Sequence, residues 1–356
     1  MERKQVSGVP PARRLRVLVA VLAAALLQAA GVAGQDITGT VRTDAGDAVS
    51  GAMVMLRQGE RTVHAAISGA GGEFSLRAPA PGSYHVRAEG IGYATASTGP
   101  LEVPDAGLAD VDVRLEIRPL TLHALEVSGA SQCAVRPDDG MPAHTLWDEA
   151  AKVLRSTALL QELELIEYSV ATWERDVSLT RGREHTERHP PQLVRGRPFM
   201  TRSPADLAAG GWVEEIDGEV LYHGPDAEVL LSDDFLDTHC IRVERRGADR
   251  PGVIGIGFEP ARGPDAPGIQ GVLWLDEVSG ELQYLTYDYT GLDSPRIAPA
   301  GGRIEFSRLD GGGWIVEQWW IRMQRRAPDR NNPRRWVTQG YLEMGGVVSD
   351  VRRTGR

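Results

Sequence analysis

Ile37-Thr-Gly-Thr-Val41, Ala52-Met-Val-Met-Leu56, Gly72-Glu-Phe-Ser-Leu76 and Pro81-Gly-Ser-Tyr-His-Val-Arg-Ala88 are four short segments in which small or apolar residues recur at every second position. A two-residue period sends alternate side chains to opposite faces of an extended strand, so each segment offers one face to a core. Turn residues separate them: Asp44 to Gly46, Gly71-Gly72 and Pro81-Gly82. Short alternating strands broken by such turns roughly every eight to twelve residues predict a β-sandwich. The pattern extends from Asp36 to Arg118 and contains no tryptophan, whereas all eight tryptophans lie from Trp147 onward. That shift in composition predicts two different cores, with the division near residues 118 to 140.

Taken in order, G-x-V, A-x-V-x-L, G-x-F-x-L, P-G-x-Y-x-V and Gly90-Ile91-Gly92-Tyr93 resemble the carboxypeptidase regulatory-like domain, a transthyretin-like sandwich. The resemblance covers residues 36–118. It implies a folding or interaction module without catalytic residues of its own, with Pro81 and Gly82 as turn residues and Tyr93 in the core or at a sheet edge. Such modules accompany zinc carboxypeptidases, adhesins and outer-membrane transporters. The carbohydrate-binding-like fold permits a glycan role, although fold alone does not assign function. Pro119 to Gly129 looks like the strand that follows the module in TonB-dependent transporters, but the 216 residues after residue 140 are too few for a 22-stranded barrel.

The first residues read as an export signal. Arg3, Lys4, Arg13, Arg14 and Arg16 precede the apolar run Val17 to Leu27, and small residues follow at Ala29, Gly31, Ala33 and Gly34. The run is short for a membrane helix, which needs roughly 20 apolar residues, so residues 1–34 are expected to be removed near positions 31 to 34, leaving no transmembrane span. The expected location is the periplasm or the outer membrane's periphery. The net charge of −10 becomes −14 once the signal is set aside, which argues against nucleic acid as a partner. Cys133 and Cys240 are the only cysteines, and an exported chain with two thiols is expected to pair them.

Residues 119–142 are expected to form a polar linker, and residues 143–356 an α+β domain of one long helix on an extended antiparallel sheet. Thr145 is a helix-capping residue ahead of Leu146, Val153, Leu154 and Leu160. Strands are expected at Ile166 to Val177, Trp212 to Tyr222, Val229 to Leu231, Ile241 to Val243 and Val253 to Phe258. Two hairpins follow, Gly271 to Leu275 with Leu282 to Tyr289, and Arg303 to Arg308 with Trp314 to Met323; Trp336 to Met344 adds a last strand. This layout is similar to the half-barrel of LolA-type periplasmic lipoprotein carriers.

Candidate chemistry is sparse. His185 and His189 have a zinc-like spacing, but Glu187 is not next to the first histidine as a zincin requires, and Pro190-Pro191 disfavour a helix; a polar loop is expected. His123 and Glu126 match a carboxypeptidase ligand spacing at the level of chance. The Ser232 to His239 segment groups carboxylates with a histidine but lacks the glycine of a calcium loop and reads as an acidic turn. No nucleophile elbow or phosphate loop is present. The expectation is therefore no catalytic residues, no metal and no cofactor. Aromatics concentrate on the hairpins at Trp274, Tyr284, Tyr287, Tyr289, Trp314, Trp319 and Trp320, and alternation sends Trp319 and Trp320 to opposite faces. These seven residues are the candidate ligand-binding set. The chain is expected to be a non-enzymatic envelope protein that binds an apolar ligand, a glycan or another envelope protein; the alternative is a secreted hydrolase with a site assembled from distant residues.

Overall fold

The computed structural model describes residues 35–104, 109–118, 132–133, 142–179, 183–199, 201–216, 219–245, 248–261, 267–292, 299–328, 331–332 and 336–354. The export signal, the His123 and Glu126 pair and most of the expected linker lie outside these residues. The protein is mainly β, as the alternation predicts.

Eight strands make the first unit: β1 (Gln35–Thr43), β2 (Met53–Gln58), β3 (Arg61–Ile67), β4 (Glu73–Ala78), β5 (Gly82–Glu89), β6 (Ala96–Ser97), β7 (Leu101–Val103) and β8 (Ala109–Leu115). One sheet has the order β4-β1-β8 and the other β3-β2-β5-β6, with β7 also on β5. Their inner faces enclose Ile37, Val41, Val54, Leu56, Phe74, Leu76, Tyr84, Val86, Val113 and Leu115, so the alternating positions of the sequence are the core. Strands β1 and β8 run parallel, and Gly39 allows that approach: a Cβ there would sit 1.8 Å from the Val111 carbonyl oxygen. Tyr93 bridges Ile117 at the sandwich's end.

The remaining elements are β9 (Gln132–Cys133), α1 (Pro142–Glu162), β10 (Ile166–Ser178), β11 (Arg183–Arg188), β12 (Gln192–Arg195), α2 (Pro204–Gly210), β13 (Val213–Ile216) and β14 (Glu219–Tyr222). Then come α3 (Ala227–Leu231), α4 (Asp233–Thr238), β15 (His239–Glu244), β16 (Val253–Pro260), β17 (Gly268–Asp276), β18 (Leu282–Thr290), β19 (Gly301–Arg308), β20 (Trp314–Pro328) and β21 (Trp336–Arg353). Strands β15 to β21 form one antiparallel meander. Strand β10 joins beyond β21, β11 and β12 pair with β10, and β9 closes the other edge on β15.

Four sequence expectations need correction. The long helix begins at Pro142, three residues before Thr145. Val229 to Leu231 belongs to a helical turn, because the Asp226 carboxylate accepts the Val229 amide at 2.9 Å and starts a helix there. The His185 to His189 segment is largely strand β11, paired with β10, and not a loop. The expected linker contains β9, whose Cys133 is the antiparallel partner of Cys240.

Helix α1 is buried on two sides. Leu146, Trp147, Ala150, Val153 and Leu154 pack on the meander with Leu273, Leu285, Ile304 and Val316, while Leu159 and Leu160 meet Met53, Met55 and Ala65 of the sandwich. Between these apolar contacts lies a buried charge pair: Lys152 Nζ donates to Glu149 Oε1 at 2.7 Å and to the Tyr93 carbonyl at 2.7 Å, and the Gly92 amide donates to Glu149 Oε2 at 3.1 Å. Arg155 adds a bond to Glu89 at 2.8 Å. The β19–β20 turn also touches the sandwich: Gly311, Gly312 and Gly313 all have positive φ, and a Cβ at Gly312 would lie 2.3 Å from Gly51 Cα. Only glycine satisfies both that backbone conformation and that closeness. Among the described residues no helix is long and apolar enough to cross a membrane.

Replacing Lys152 by alanine leaves the Glu149 carboxylate buried without its cation and should cost about 3–5 kcal/mol in denaturant unfolding, whereas the double change Glu149→Leu with Lys152→Met, which strands no charge and costs only the Gly92 and Tyr93 backbone partners, should cost clearly less. Equal losses in both variants would mean that shape, not charge, holds the helix to the sandwich.

Candidate functional site

The meander has one face under α1 and one that α1 does not cover. Alternation assigns Ile256, Leu273, Leu285, Ile304 and Val316 to the helix side. The opposite side carries Arg242, Trp274, Tyr284, Thr286, Asp288, Arg303, Trp320 and Arg322. Strand β21 then contributes Glu343 and Gly345, and β10 contributes Trp173 and Arg175, by direct cross-strand register. Two cavities lie along this face. One of about 300 Å³ is lined by Arg242, Gln270, Thr286, Asp288, Arg303, Trp320 and Arg322 among others. The next, about 570 Å³, is lined by Trp173, Arg175, Glu184, Thr186, Arg188, Trp320, Arg322 and Glu343. Trp320 and Arg322 belong to both, so the two cavities adjoin along the strands and together make up the groove.

The candidate aromatic residues separate on this frame. Trp319 and Trp320 do point to opposite faces: Trp319 packs on Phe199 with ring centroids 5.2 Å apart, while Trp320 lines the groove. Tyr287, Tyr289 and Trp314 lie in the core with α1, and Tyr289 donates its hydroxyl to the His223 carbonyl at 2.8 Å. Trp274 and Tyr284 are on the groove side but buried, with Arg303 stacked 3.9 Å and Arg250 4.9 Å from the Tyr284 ring centre. Burial pushes the Tyr284 hydroxyl up to about 12. Most of the seven aromatics are therefore packed by the chain itself; Trp320 lines both cavities, and the buried Tyr287 borders the smaller one. The groove's other indole, Trp173, was not in the expected set.

Polar groups around Trp320 are held in place. Glu343, its side chain 2% exposed, accepts from Arg175 Nε at 2.6 Å on one oxygen and from Arg322 Nε at 2.7 Å on the other. Arg175 also donates to Glu184 at 3.1 Å, and Arg322 lies 4.8 Å from the Tyr341 ring centre and 5.7 Å from that of Trp320. Arg303 donates to Glu305 and Asp249, and Arg242 to Glu259. Burial raises the Asp288 carboxyl above its ordinary value, opposed by the Arg322 charge.

The other histidine and carboxylate candidates do not converge. His185 and His189 are four residues apart along an extended segment, about 13 Å, beyond sharing one ion. Ser232 caps α4 by accepting the Phe235 amide at 3.1 Å; Asp233 and Asp234 are exposed, and His239 turns inward, stacked 4.1 Å from Phe235. Among the described residues no group of three or more His, Cys, Asp or Glu side chains could hold a metal ion.

Comparison with known proteins bears on the sandwich. No curated protein matches the chain. Among solved structures, a type II cohesin–X-dockerin complex from Acetivibrio cellulolyticus is 17% identical over 24% of this chain and 58% of that one, with a TM-score of 0.21. This chain therefore spans less than two thirds of that relative. A streptococcal ancillary pilin is 9% identical over 55% and 60% of the two chains (TM-score 0.21), and the Bacillus cereus major pilin BcpA is 8% identical over 88% and 95% (TM-score 0.22). None of these TM-scores establishes a shared architecture. The family model described as carboxypeptidase regulatory-like domain matches residues 36–116, which span both sheets of the sandwich; that segment is a carboxypeptidase regulatory-like domain.

Proposed function

We propose that this chain is an exported, non-enzymatic binding protein of the cell envelope, whose ligand lies in the groove on the face of the large sheet away from α1. The observation that carries the reading is the adjacency of the two cavities at Trp320 and Arg322, with a partly exposed indole amid fixed hydrogen-bonding groups. Ligand sites commonly combine an apolar surface with a few convergent polar groups. The sandwich acts as a brace: it packs on α1 and the β19–β20 turn, and its Met53, Met55 and Ala65 share a core with Ile166, Tyr168, Val170, Ile315 and Val348 of the large sheet, none of which lines the groove. Export rests on the basic, apolar and small-residue order of residues 1–34.

The groove's carboxylates favour binding over hydrolysis. Glycoside cleavage uses two carboxyl groups, one as acid and one as base or nucleophile. Asp288 is held toward its protonated form, but both oxygens of Glu343 are engaged by guanidinium groups and Glu184 is exposed and paired with Arg175.

A Cys133–Cys240 disulfide belongs to the same reading. Direct antiparallel partners have Cα atoms about 4.5–5.5 Å apart, within the range a disulfide spans. It would fasten β9 to the edge of the large sheet. Protein from the envelope fraction should start near residues 32–35 and yield the joined cysteine peptides without reductant; an intact Met1 with two alkylatable thiols would contradict both points.

Titration with saccharides, acyl chains and envelope peptides should give a saturable fluorescence change with one class and no turnover of it. Trp320→Ala should shrink that change and weaken the binding roughly tenfold at a stability cost of about 1 kcal/mol, against about 3–5 kcal/mol for the enclosed Trp314→Ala. Turnover of any of the three classes would restore the hydrolase reading.

The Asp288 carboxyl has its pKa raised by folding, so its contribution to stability is present at low pH and is lost as pH rises through the folded value. Asp288→Asn should therefore raise the thermal midpoint at pH 7, though only slightly because the residue is partly exposed to solvent, and match the wild type near pH 3. A lowered midpoint at pH 7 would show that the ionised carboxylate is stabilising.

A further inference from the structure

Trp173 and Trp320 share one cross-strand partner. Trp173 pairs with Gly345 from β10, and Trp320 pairs with the same glycine from β20. The two tryptophans are therefore two strand spacings apart, about 9.5 Å between Cα atoms, and on the same face. The glycine between them lets an indole lie flat: a Cβ at position 345 would be 2.6 Å from Trp173 Cζ2 and 2.7 Å from Cε2. Trp173 thus covers the backbone of β21 and extends toward Trp320, and the two rings form the floor of the larger cavity.

The walls are charged but balanced. Of the five arginines that line the groove, Arg175, Arg322, Arg303 and Arg242 each have a carboxylate partner. An anionic ligand would meet these carboxylates at close range, and a cationic one the guanidinium groups. Glu343 is enclosed by Arg175 and Arg322, but the guanidinium groups still present N–H donors and the more exposed Glu184 and Glu259 present carboxylate oxygens, and a hydroxyl can use both because it donates and accepts.

Resting on the binding role proposed above, we infer that the groove takes a neutral, extended, equatorially linked glycan laid across β10, β21 and β20, with sugar faces stacked on Trp173 and Trp320. The axial C–H groups of such a sugar present a weakly positive face to the negative face of an indole. The separation of the two tryptophans is about the length of a disaccharide, so the rings support successive faces of one chain. The arginine–carboxylate pairs hydrogen-bond the hydroxyls along its edges, with Arg322 and Arg175, both fixed by the enclosed Glu343, on the lining beside the two tryptophans.

The test is calorimetric titration of the full mature chain with β-1,4-linked glucan hexasaccharide and, separately, with oligogalacturonate of the same length, each at low and high salt. The neutral oligosaccharide should bind with a Kd that changes less than about twofold with salt, since no net charge is neutralised. Trp173→Ala and Trp320→Ala should each weaken it roughly tenfold, of the order that ring stacking contributes, and phenylalanine at either position should recover part of the loss. Circular dichroism melts confirm that each variant is folded. Preference for oligogalacturonate with steep salt dependence overturns the neutral ligand but leaves the groove as the binding site. Hexasaccharide binding that neither tryptophan variant affects overturns the platform. Failure to bind either oligosaccharide overturns the glycan altogether, and the broader binding role then stands or falls on the acyl-chain and peptide titrations.

Discussion

Glu149 and Lys152 are buried side by side on α1, one turn apart, and the arrangement of the whole chain follows from keeping that pair satisfied. Two charges removed from water are tolerated only when their remaining hydrogen-bonding capacity is met. Here the Gly92 amide and the Tyr93 carbonyl meet it, and both belong to the sandwich. Lys152 and Lys4 are the only lysines among 39 basic residues, which makes the position unusual within this arginine-rich chain. Arginine at 152 would need more acceptors than this corner provides, since a guanidinium carries five N–H donors against the ammonium's three. Burial pushes the Glu149 carboxyl up, and the lysine with the glycine amide pulls it back. The charge pair thus couples the β5–β6 loop of the sandwich to the helix that organises the large sheet.

Fixing α1 against the sandwich also decides which face of the meander stays open. The helix packs Leu146, Val153 and Leu154 on the sheet and meets the sandwich with Glu149 and Lys152 and with the apolar Leu159 and Leu160. Among the described residues no helix covers the opposite face, where the loop carrying Asp249 and Arg250 reaches Arg303 and Tyr284, and it carries arginines, carboxylates, threonine and indoles in place of leucine and isoleucine. Ion pairs spread across three strands, as in Arg175–Glu343–Arg322, replace the apolar packing of the other face.

Much of the fold was legible because the signals were periodic. Alternation at Ile37, Val54, Leu76 and Val86 located the sandwich core, and turn chemistry at Ser279-Gly280 and Asp310 to Gly313 located both hairpins. The Trp319-Trp320 pair gave the two-faced sheet. What failed was local and competitive. Val229 to Leu231 is too short for period to separate strand from helix, and the deciding group was the Asp226 cap. Strand β3, Arg61–Ile67, lacks clean alternation, since Val63, Ala65 and Ile67 are interleaved with His64 and Ala66. The burial of Trp274 and Tyr284 depends on Arg250 and Arg303, which reach Tyr284 from a loop and a neighbouring strand, and no spacing rule reveals that. Trp173 had one available signal: the Gly345-Gly346 doublet inside a strand, a known mark of close approach by another group.

That doublet belongs to a pattern that explains the shape of the sheet. Trp173 lies over Gly345, Trp274 over Gly255 and Trp319 over Gly346, and in each case the two residues are direct cross-strand partners. A Cβ on the glycine would come within 2.6 to 2.9 Å of the nearest indole atom. A large ring beside a missing side chain can tip onto the neighbouring strand, where a ring opposite valine or leucine must stand up. The sheet therefore stays thin where tryptophans are placed, and its outer face has a floor of backbone and flat rings between walls of long arginine side chains. Replacing Gly345 by a residue of higher strand propensity would favour extended backbone but lift Trp173 and fill the groove from below, whereas a side chain at Gly346 would push on Trp319 in the core of the other face. Low strand propensity at these positions is thus the local cost of a surface that can hold something flat.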